Sequence, residues 1–204
     1  MKIQELNKEL GNIDIYLLDQ ILKERYSKAD KILDAGCGEG RNLVYFLNNG
    51  FDIYGIDKNE KAIEMLQFVA RSKKVSVTDN TFQVAGLENI PFESNAFDHV
   101  ICNAVLHFAE SEAHFEQMFS ELIRVLQPEG SMFIRMTSNI GIENMVEAIG
   151  EGKYNIPDGS IRFLLTKELL DGMMKKYQLS FLEPLKTVNV NDKRYMTTLV
   201  LKYK

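Results

Sequence analysis

The stretch Lys31-Ile-Leu-Asp-Ala-Gly-Cys-Gly-Glu-Gly-Arg-Asn42 decides how the rest of the chain is read. Two apolar residues, Ile32 and Leu33, run into an acid, Asp34, and then into alternating glycines at Gly36, Gly38 and Gly40. Leu43, Val44 and Leu47 follow at helical spacing, so the pattern predicts a buried strand over 31–34, a glycine turn and a helix over 40–48. Asn49-Gly50 closes that helix as a glycine C-cap. A strand–turn–helix junction of this kind brings backbone N–H groups against a ligand that must approach the main chain closely.

Working outward, residues 1–28 read as helical, broken at Gly11-Asn12, with Ile3, Leu6 and Leu10 on one face and Ile15, Leu18, Ile21 and Leu22 on another. A strand over 52–56 ends at Asp57, and a helix with Ala62, Met65, Leu66 and Val69 on one side follows. Strands are expected over 81–84 and 97–102, separated by the Pro91-containing loop 85–96. Phe115, Met118, Phe119, Leu122, Ile123 and Leu126 make an unbroken helical stripe, stopped by Pro128 and Gly130. The apolar run 131–136 suits a central strand covered on both faces. Beyond it come a short helix over 142–149, a Gly/Pro/Asp-rich loop over 150–160, and a helix over 166–177 with Leu169, Leu170, Met173 and Met174 inward. Two long strands, 180–190 and 194–202, close the chain as a hairpin turning at Asn191-Asp192.

Five β–α units followed by a hairpin specify an α/β fold: a doubly wound, mostly parallel, seven-stranded Rossmann-like sheet with a C-terminal antiparallel hairpin and helices on both faces. Such sheets bind ligands at the carboxyl ends of their strands. Asp34, Asp57, the loop after Val84 and the segment after Cys102 then lie along one edge.

With 204 residues, 45% hydrophobic and 26% charged, the composition is that of a globular chain. A formal net charge of -5 argues against nucleic acid as a partner. Cys37 and Cys102 have neither zinc-type spacing nor a disulfide framework, and no metal site is expected. No apolar run is long enough to span a bilayer or reads as a cleaved leader, so a cytoplasmic setting without membrane partners is expected.

Three readings of the glycine turn compete. The plainest is a tight connection without a ligand. A dinucleotide site wants G-x-G-x-x-G with an acid about 20 residues on, and Asp57 meets the second condition. The third glycine, however, comes one residue early, and Asp34 lies two residues before the first. A carboxylate there crowds a pyrophosphate, since two like charges about 4 Å apart repel by about 4 kcal/mol at an effective dielectric of about 20. The same acid suits a phosphate-free cofactor with a cationic head, and S-adenosylmethionine, with its ammonium and sulfonium, answers that description. Asp34 would orient the ammonium, Gly36 and Gly38 would let the methionine portion lie on the backbone, and Asp57 would bridge the ribose hydroxyls.

These residues also carry a resemblance. Asp34-Ala-Gly-Cys-Gly-Glu-Gly40 resembles the first motif of class I S-adenosylmethionine-dependent methyltransferases, and Gly55-Ile-Asp57-Lys-Asn the second. Residues 85–92 with Asn95-Ala-Phe-Asp98 are similar to the third and fourth segments, and Leu122-Ile-Arg-Val-Leu-Gln-Pro-Glu-Gly130 to the turn into strand five. Gly38-Glu-Gly-Arg-Asn42 and Tyr195-Met-Thr-Thr-Leu-Val resemble the small tellurite-resistance (TehB-like) methyltransferases.

The resemblance implies one methyltransferase domain over 1–204. Its parts are a helical cap over 1–28, a cofactor core over 30–136, a substrate lid and helix over 138–178 and a terminal hairpin over 180–203. Cofactor contacts are implied at Asp34, Gly36, Cys37, Gly38, Gly40, Asp57, Lys58, Gly86, Leu87, Glu88 and Asn103, the last through its backbone carbonyl. Gly86 departs from the family, which has an acid against the adenine there; Glu88 is the possible substitute. Cys102-Asn-Ala-Val-Leu-His-Phe108 is not the Asn-Pro-Pro-aromatic form of enzymes acting on base amines.

Methyl transfer needs alignment and exclusion of water, and a base only for hydroxyl or protonated amine acceptors. His107 and Tyr16 are the candidates for taking a proton or orienting an acceptor, against packing roles for both. His99 reads as a core or partly exposed residue, His114 as a surface residue, and Cys37 as a packing residue. Arg135 interrupts an apolar strand and needs a carboxylate partner, of substrate or protein. Arg162-Phe163 belongs either to a lid or to a solvated loop. The expected activity is methyl transfer from S-adenosylmethionine to a small molecule, giving S-adenosylhomocysteine. A binding domain without transfer and a nucleotide-dependent oxidoreductase are the alternatives, and oligomeric state is left open.

Overall fold

The computed structural model describes residues 2–73, 75, 77–78 and 80–204. Helices α1 (Ile3–Leu10) and α2 (Ile15–Leu22) precede β1 (Lys31–Ala35), α3 (Val44–Asn49), β2 (Asp52–Asp57), α4 (Glu60–Ser72), β3 (Phe82–Val84) and β4 (Phe97–Asn103). Then come α5 (Glu112–Val125), β5 (Leu126–Ser138), three short strands β6 (Glu147–Gly150), β7 (Lys153–Asn155) and β8 (Ile161–Phe163), and α6 (Lys167–Lys176). Strands β9 (Leu179–Phe181), β10 (Lys186–Val190) and β11 (Arg194–Tyr203) finish the chain.

The main sheet runs β10-β11-β5-β4-β1-β2-β3. Strands β3, β2, β1, β4 and β5 are parallel, and β11 is antiparallel to β5. The expected architecture is therefore present, with one addition. The last hairpin's first arm is two strands, because Pro184 removes a ladder donor; β9 and β10 pair separately with the two ends of β11. The main sheet thus has eight described strands.

Apolar layers cover both faces. One holds Phe97, Phe115, Phe119, Leu122 and Phe163; the other holds Leu17, Ile32, Leu43, Phe46, Leu66 and Phe133. The inward face of α2 is Leu17 with Gln20, whereas Ile15 and Leu22, expected inside, are 70% and 74% exposed. Met65 is likewise exposed, its place on α4 taken by Ile63 and Ala70.

Three local expectations are overturned. The helix after the glycine turn begins at Val44 rather than Gly40, because residues 37–43 close as tight turns through Gly40 N–H to Cys37 O and Leu43 N–H to Gly40 O. The expected helix over 142–149 is one short 3₁₀ turn (Glu143–Met145) followed by β6, and the expected loop over 150–160 contains β7. Together β6, β7 and β8 form a small antiparallel sheet. It is fixed by Phe163, whose ring stacks on Phe115 at 4.7 Å and 9°. The segment leaves and rejoins the main sheet at one place: Asn139 N–H donates to Leu165 O, and Leu165 N–H to Thr137 O. Among the described residues no helix is long and apolar enough to cross a membrane.

Candidate active site

Strand β1 delivers Asp34 to the carboxyl edge of the sheet, and Gly36 then turns the chain with φ 83°. The N–H groups of Gly36 and Cys37 both donate to Ile56 O, which locks the glycine turn to the end of β2. A Cβ on Gly36 would stand 2.2 Å from Val105 Cγ2, and one on Gly40 2.4 Å from Leu66 Cδ1. Neither position tolerates a side chain. Asp57 completes the junction: its Oδ2 accepts from Gly38 N–H at 2.9 Å and its Oδ1 from Asn59 N–H at 2.9 Å.

A cleft of about 730 Å³, open mouth included, lies at this edge. Gly36, Asp57, Lys58, Gly86, Leu87, Glu88 and Asn103 line it, joined by Ala85, Ala104, Val105, Phe108, His114 and Met118. The structure thus gathers seven of the residues singled out in the sequence. At Gly86 the Glu88 carboxylate folds back to 2.5 Å from where a Cβ would stand, so the carboxylate lies over the bare glycine.

His114 takes a place that the sequence does not assign it. Expected as a surface residue, it is partly exposed on the wall of the cleft, with Nδ1 accepting from Glu110 N–H and Nε2 4.0 Å from Glu88 Oε2. Ser111, the N-cap of α5, fixes its backbone. Its place one turn into a capped helix after the β4 loop was the available signal. Met118, one turn further, belongs to the core stripe and also lines the cleft.

Asp34 is 1% exposed, and neither carboxylate oxygen has a partner among the described residues. Burial pushes its pKa up to about 7; Arg41 pulls it down and Asp57 adds to the rise. A buried acid without a donor is costly unless something cationic completes it. Cys37 packs at 6% exposure, and burial, with Asp34 and Asp57 nearby, pushes its thiol well up, so it is a poor nucleophile.

His107 is 7% exposed in a 3₁₀ turn, its Nδ1 accepting from Thr137 N–H at 3.3 Å, and it is not among the cleft-lining residues. Burial, then Arg162, Arg194 and Arg135, lower its pKa to about 4. Because this value lies below that of the unfolded chain, the unfolded state protonates first as pH falls. We expect His107 to remove up to about 3 kcal/mol of stability between pH 6.5 and 4, and none above. Urea titrations of wild type and His107→Gln across that range check this; parallel profiles would refute it.

Tyr16 sits on α2 with Arg135 stacked over its ring, 5.3 Å from the centroid. Arg135 finds a protein carboxylate: Nη1 is 3.2 Å from Asp14 Oδ2, while Asp14 Oδ1 caps Tyr16 N–H and Asp14 N–H reaches Asn42 Oδ1. The N-terminal helices are thereby tied across the carboxyl edge. Arg162 lies over the Phe108 ring at 5.0 Å. His99 is far from this edge, partly exposed and bonded to Ser131 Oγ and Asp30 Oδ2.

The family model matching residues 33–134 is that of the methyltransferase domain. A ubiquinone biosynthesis O-methyltransferase of Pelagibacter ubique is 30% identical over 189 residues, 86% of this chain and 75% of that one. An uncharacterized methyltransferase of Synechocystis is 31% identical over 104 residues, 51% of this chain and 45% of the other. The chain spans a little under half the length of several curated relatives that it matches. A solved S-adenosylmethionine-dependent methyltransferase of Methanosarcina mazei shares the fold, with TM-score 0.72 at 19% identity over 90% of this chain and 96% of that one. The chain belongs to the methyltransferase-domain family. Within it, the class is that of the class I enzymes, whose methyl donor is S-adenosylmethionine.

Proposed function

We propose that the protein transfers a methyl group from S-adenosylmethionine to a small-molecule acceptor at the carboxyl edge of its sheet. The observation carrying this is Asp34, a buried carboxylate with two unpartnered oxygens at the turn where the family's cofactor begins. An ammonium group satisfies it; a pyrophosphate would not.

In this reading Asp34 receives the ammonium, Gly36, Cys37, Gly38 and Gly40 offer a close-approach backbone, and Asn103 offers its carbonyl. Asp57 keeps lone pairs beyond those used by Gly38 and Asn59, enough to accept the ribose hydroxyls, with Lys58 beside it. Gly86 and Leu87 hold the adenine by backbone groups, and Glu88 supplies the carboxylate that its neighbour lacks. When bound, the cofactor would supply a sulfonium methyl open to in-line attack by an acceptor lone pair, the thioether sulfur leaving with the S–C electrons. The chain's part is to hold the acceptor in line and keep water out. Tyr16 closes the acceptor side. Of the two roles open to His107, packing fits better: it lies off the cleft lining, and burial and three arginines lower its basicity.

Calorimetry with S-adenosylhomocysteine and with NADH tests the cofactor; binding of NADH alone would sink the reading. Turnover on a panel of thiols, hydroxyaromatics, amines and carboxylic acids tests transfer. Asp57→Ala should weaken S-adenosylhomocysteine at least tenfold, about 1.4 kcal/mol, because it removes the ribose acceptor and unties Gly38 N–H. Unchanged affinity would refute the ribose assignment.

A further inference from the structure

Three residues at the carboxyl end of the sheet share one row and one deficiency. Asn103 of β4, Arg135 of β5 and Thr198 of β11 are register partners across adjacent strands, so their side chains stand on the same face. Asn103 is 7% and Thr198 3% exposed. The amide N and O of Asn103, Nε of Arg135 and Oγ1 of Thr198 are all buried without a hydrogen-bond partner among the described residues. Native interiors satisfy such groups, so a row of them marks a place where something polar belongs. Asn103 also lines the cleft, which joins the row to the cofactor site.

We propose that this row is the acceptor subsite and that it receives a carboxylate, which makes the methyl acceptor a small carboxylic acid. The inference rests on the methyltransferase reading. The row offers an amide N–H, a hydroxyl and a guanidinium edge, a donor set for an anion. Stacking on Tyr16 fixes the Arg135 plane, and with Asp14 lying against Nη1, Nε is left without a partner among the described residues. Local charge agrees, since Arg162 and Arg194 as well as Arg135 bear on the neighbouring His107, and Asp14 and Asp158 are the acids facing these arginines. A carboxylate neutralised by a guanidinium is a weak nucleophile, so it serves as the handle and another atom of the acceptor takes the methyl.

The test titrates acetate, benzoate and phenylacetate, each against its amide, into the full chain with and without saturating S-adenosylhomocysteine, followed by NMR. At least one acid should bind tenfold or more tighter than its amide. Thr198→Val, which removes only the hydroxyl, should weaken that acid severalfold, and Arg135→Gln tenfold or more, both leaving S-adenosylhomocysteine affinity within twofold. Acids and amides binding alike, or Thr198→Val leaving acid binding unchanged, would overturn the proposal. So would equal losses for acid and S-adenosylhomocysteine, which would assign the row to the cofactor's own carboxylate. If Arg135→Gln fails to fold, wild type and Thr198→Val still decide. Failure of wild type to bind S-adenosylhomocysteine at all would sink the methyltransferase reading first, and the acid titration without it then reads the row alone.

Discussion

Affinity for S-adenosylhomocysteine should fall about thirtyfold between pH 8.5 and pH 5.5, and Asp34→Asn should abolish that dependence. The cause is the pKa near 7 that burial gives Asp34 in the free protein. Below that value the carboxyl carries a proton that an incoming ammonium must expel, so each pH unit costs about tenfold. Above it the carboxylate is ready and affinity levels off. Calorimetry in buffers of different ionisation enthalpy counts the released proton directly. A flat profile, or an equal slope in Asp34→Asn, would remove Asp34 from the cofactor site.

Stability of the free protein carries the opposite signature. The folded pKa of Asp34 lies above its unfolded 3.8, so its contribution is fully present below 3.8 and lost as pH rises to 7, by up to about 4 kcal/mol. His107 tilts the same window the other way. Wild type should therefore look nearly pH-insensitive between 4 and 7, while Asp34→Asn loses stability towards acid and His107→Gln gains it.

Gly36→Ala should cost about 2–4 kcal/mol of stability and at least tenfold in S-adenosylhomocysteine affinity. Two independent terms add. The backbone at φ 83° is a conformation that an L side chain resists, and the new Cβ would meet Val105 Cγ2 at 2.2 Å. Since Gly36 and Val105 both line the cleft, relief by moving either one disturbs the ligand surface. Adding Val105→Ala should recover the steric part and leave the backbone part. Full recovery would show that φ carries no strain, and no loss in the single variant would refute the packing argument.

The sheet was legible because buried parallel strands read as apolar runs set off by recognisable punctuation: Asp34 before glycines, Asp57 before a capped helix, and Pro128-Glu-Gly130 ahead of the apolar run of β5. What the sequence misread was decided by contacts distant in the chain. Residues 142–160 have no periodicity of their own; β6 and β7 form because Phe163 anchors the small sheet on Phe115. The helix after the glycine turn starts late because its first turn is spent on backbone bonds around Gly40. His114 looked like a polar residue beside an apolar stripe, and only the fold of the β4–α5 connection turns it to the cleft. The unpartnered row of Asn103, Arg135 and Thr198 was invisible because pairing β11 with β5 spans more than sixty positions of chain.

The shared exit and return point of residues 139–165 bears on how the chain tolerates changes of length. With Asn139 and Leu165 hydrogen-bonded, the segment is a closed excursion whose length is weakly coupled to the sheet's stability. Changes of length within 142–160 are thereby separated from the sheet, whereas Phe163, Leu164 and Leu165 at the return belong to the core and hold the excursion in place.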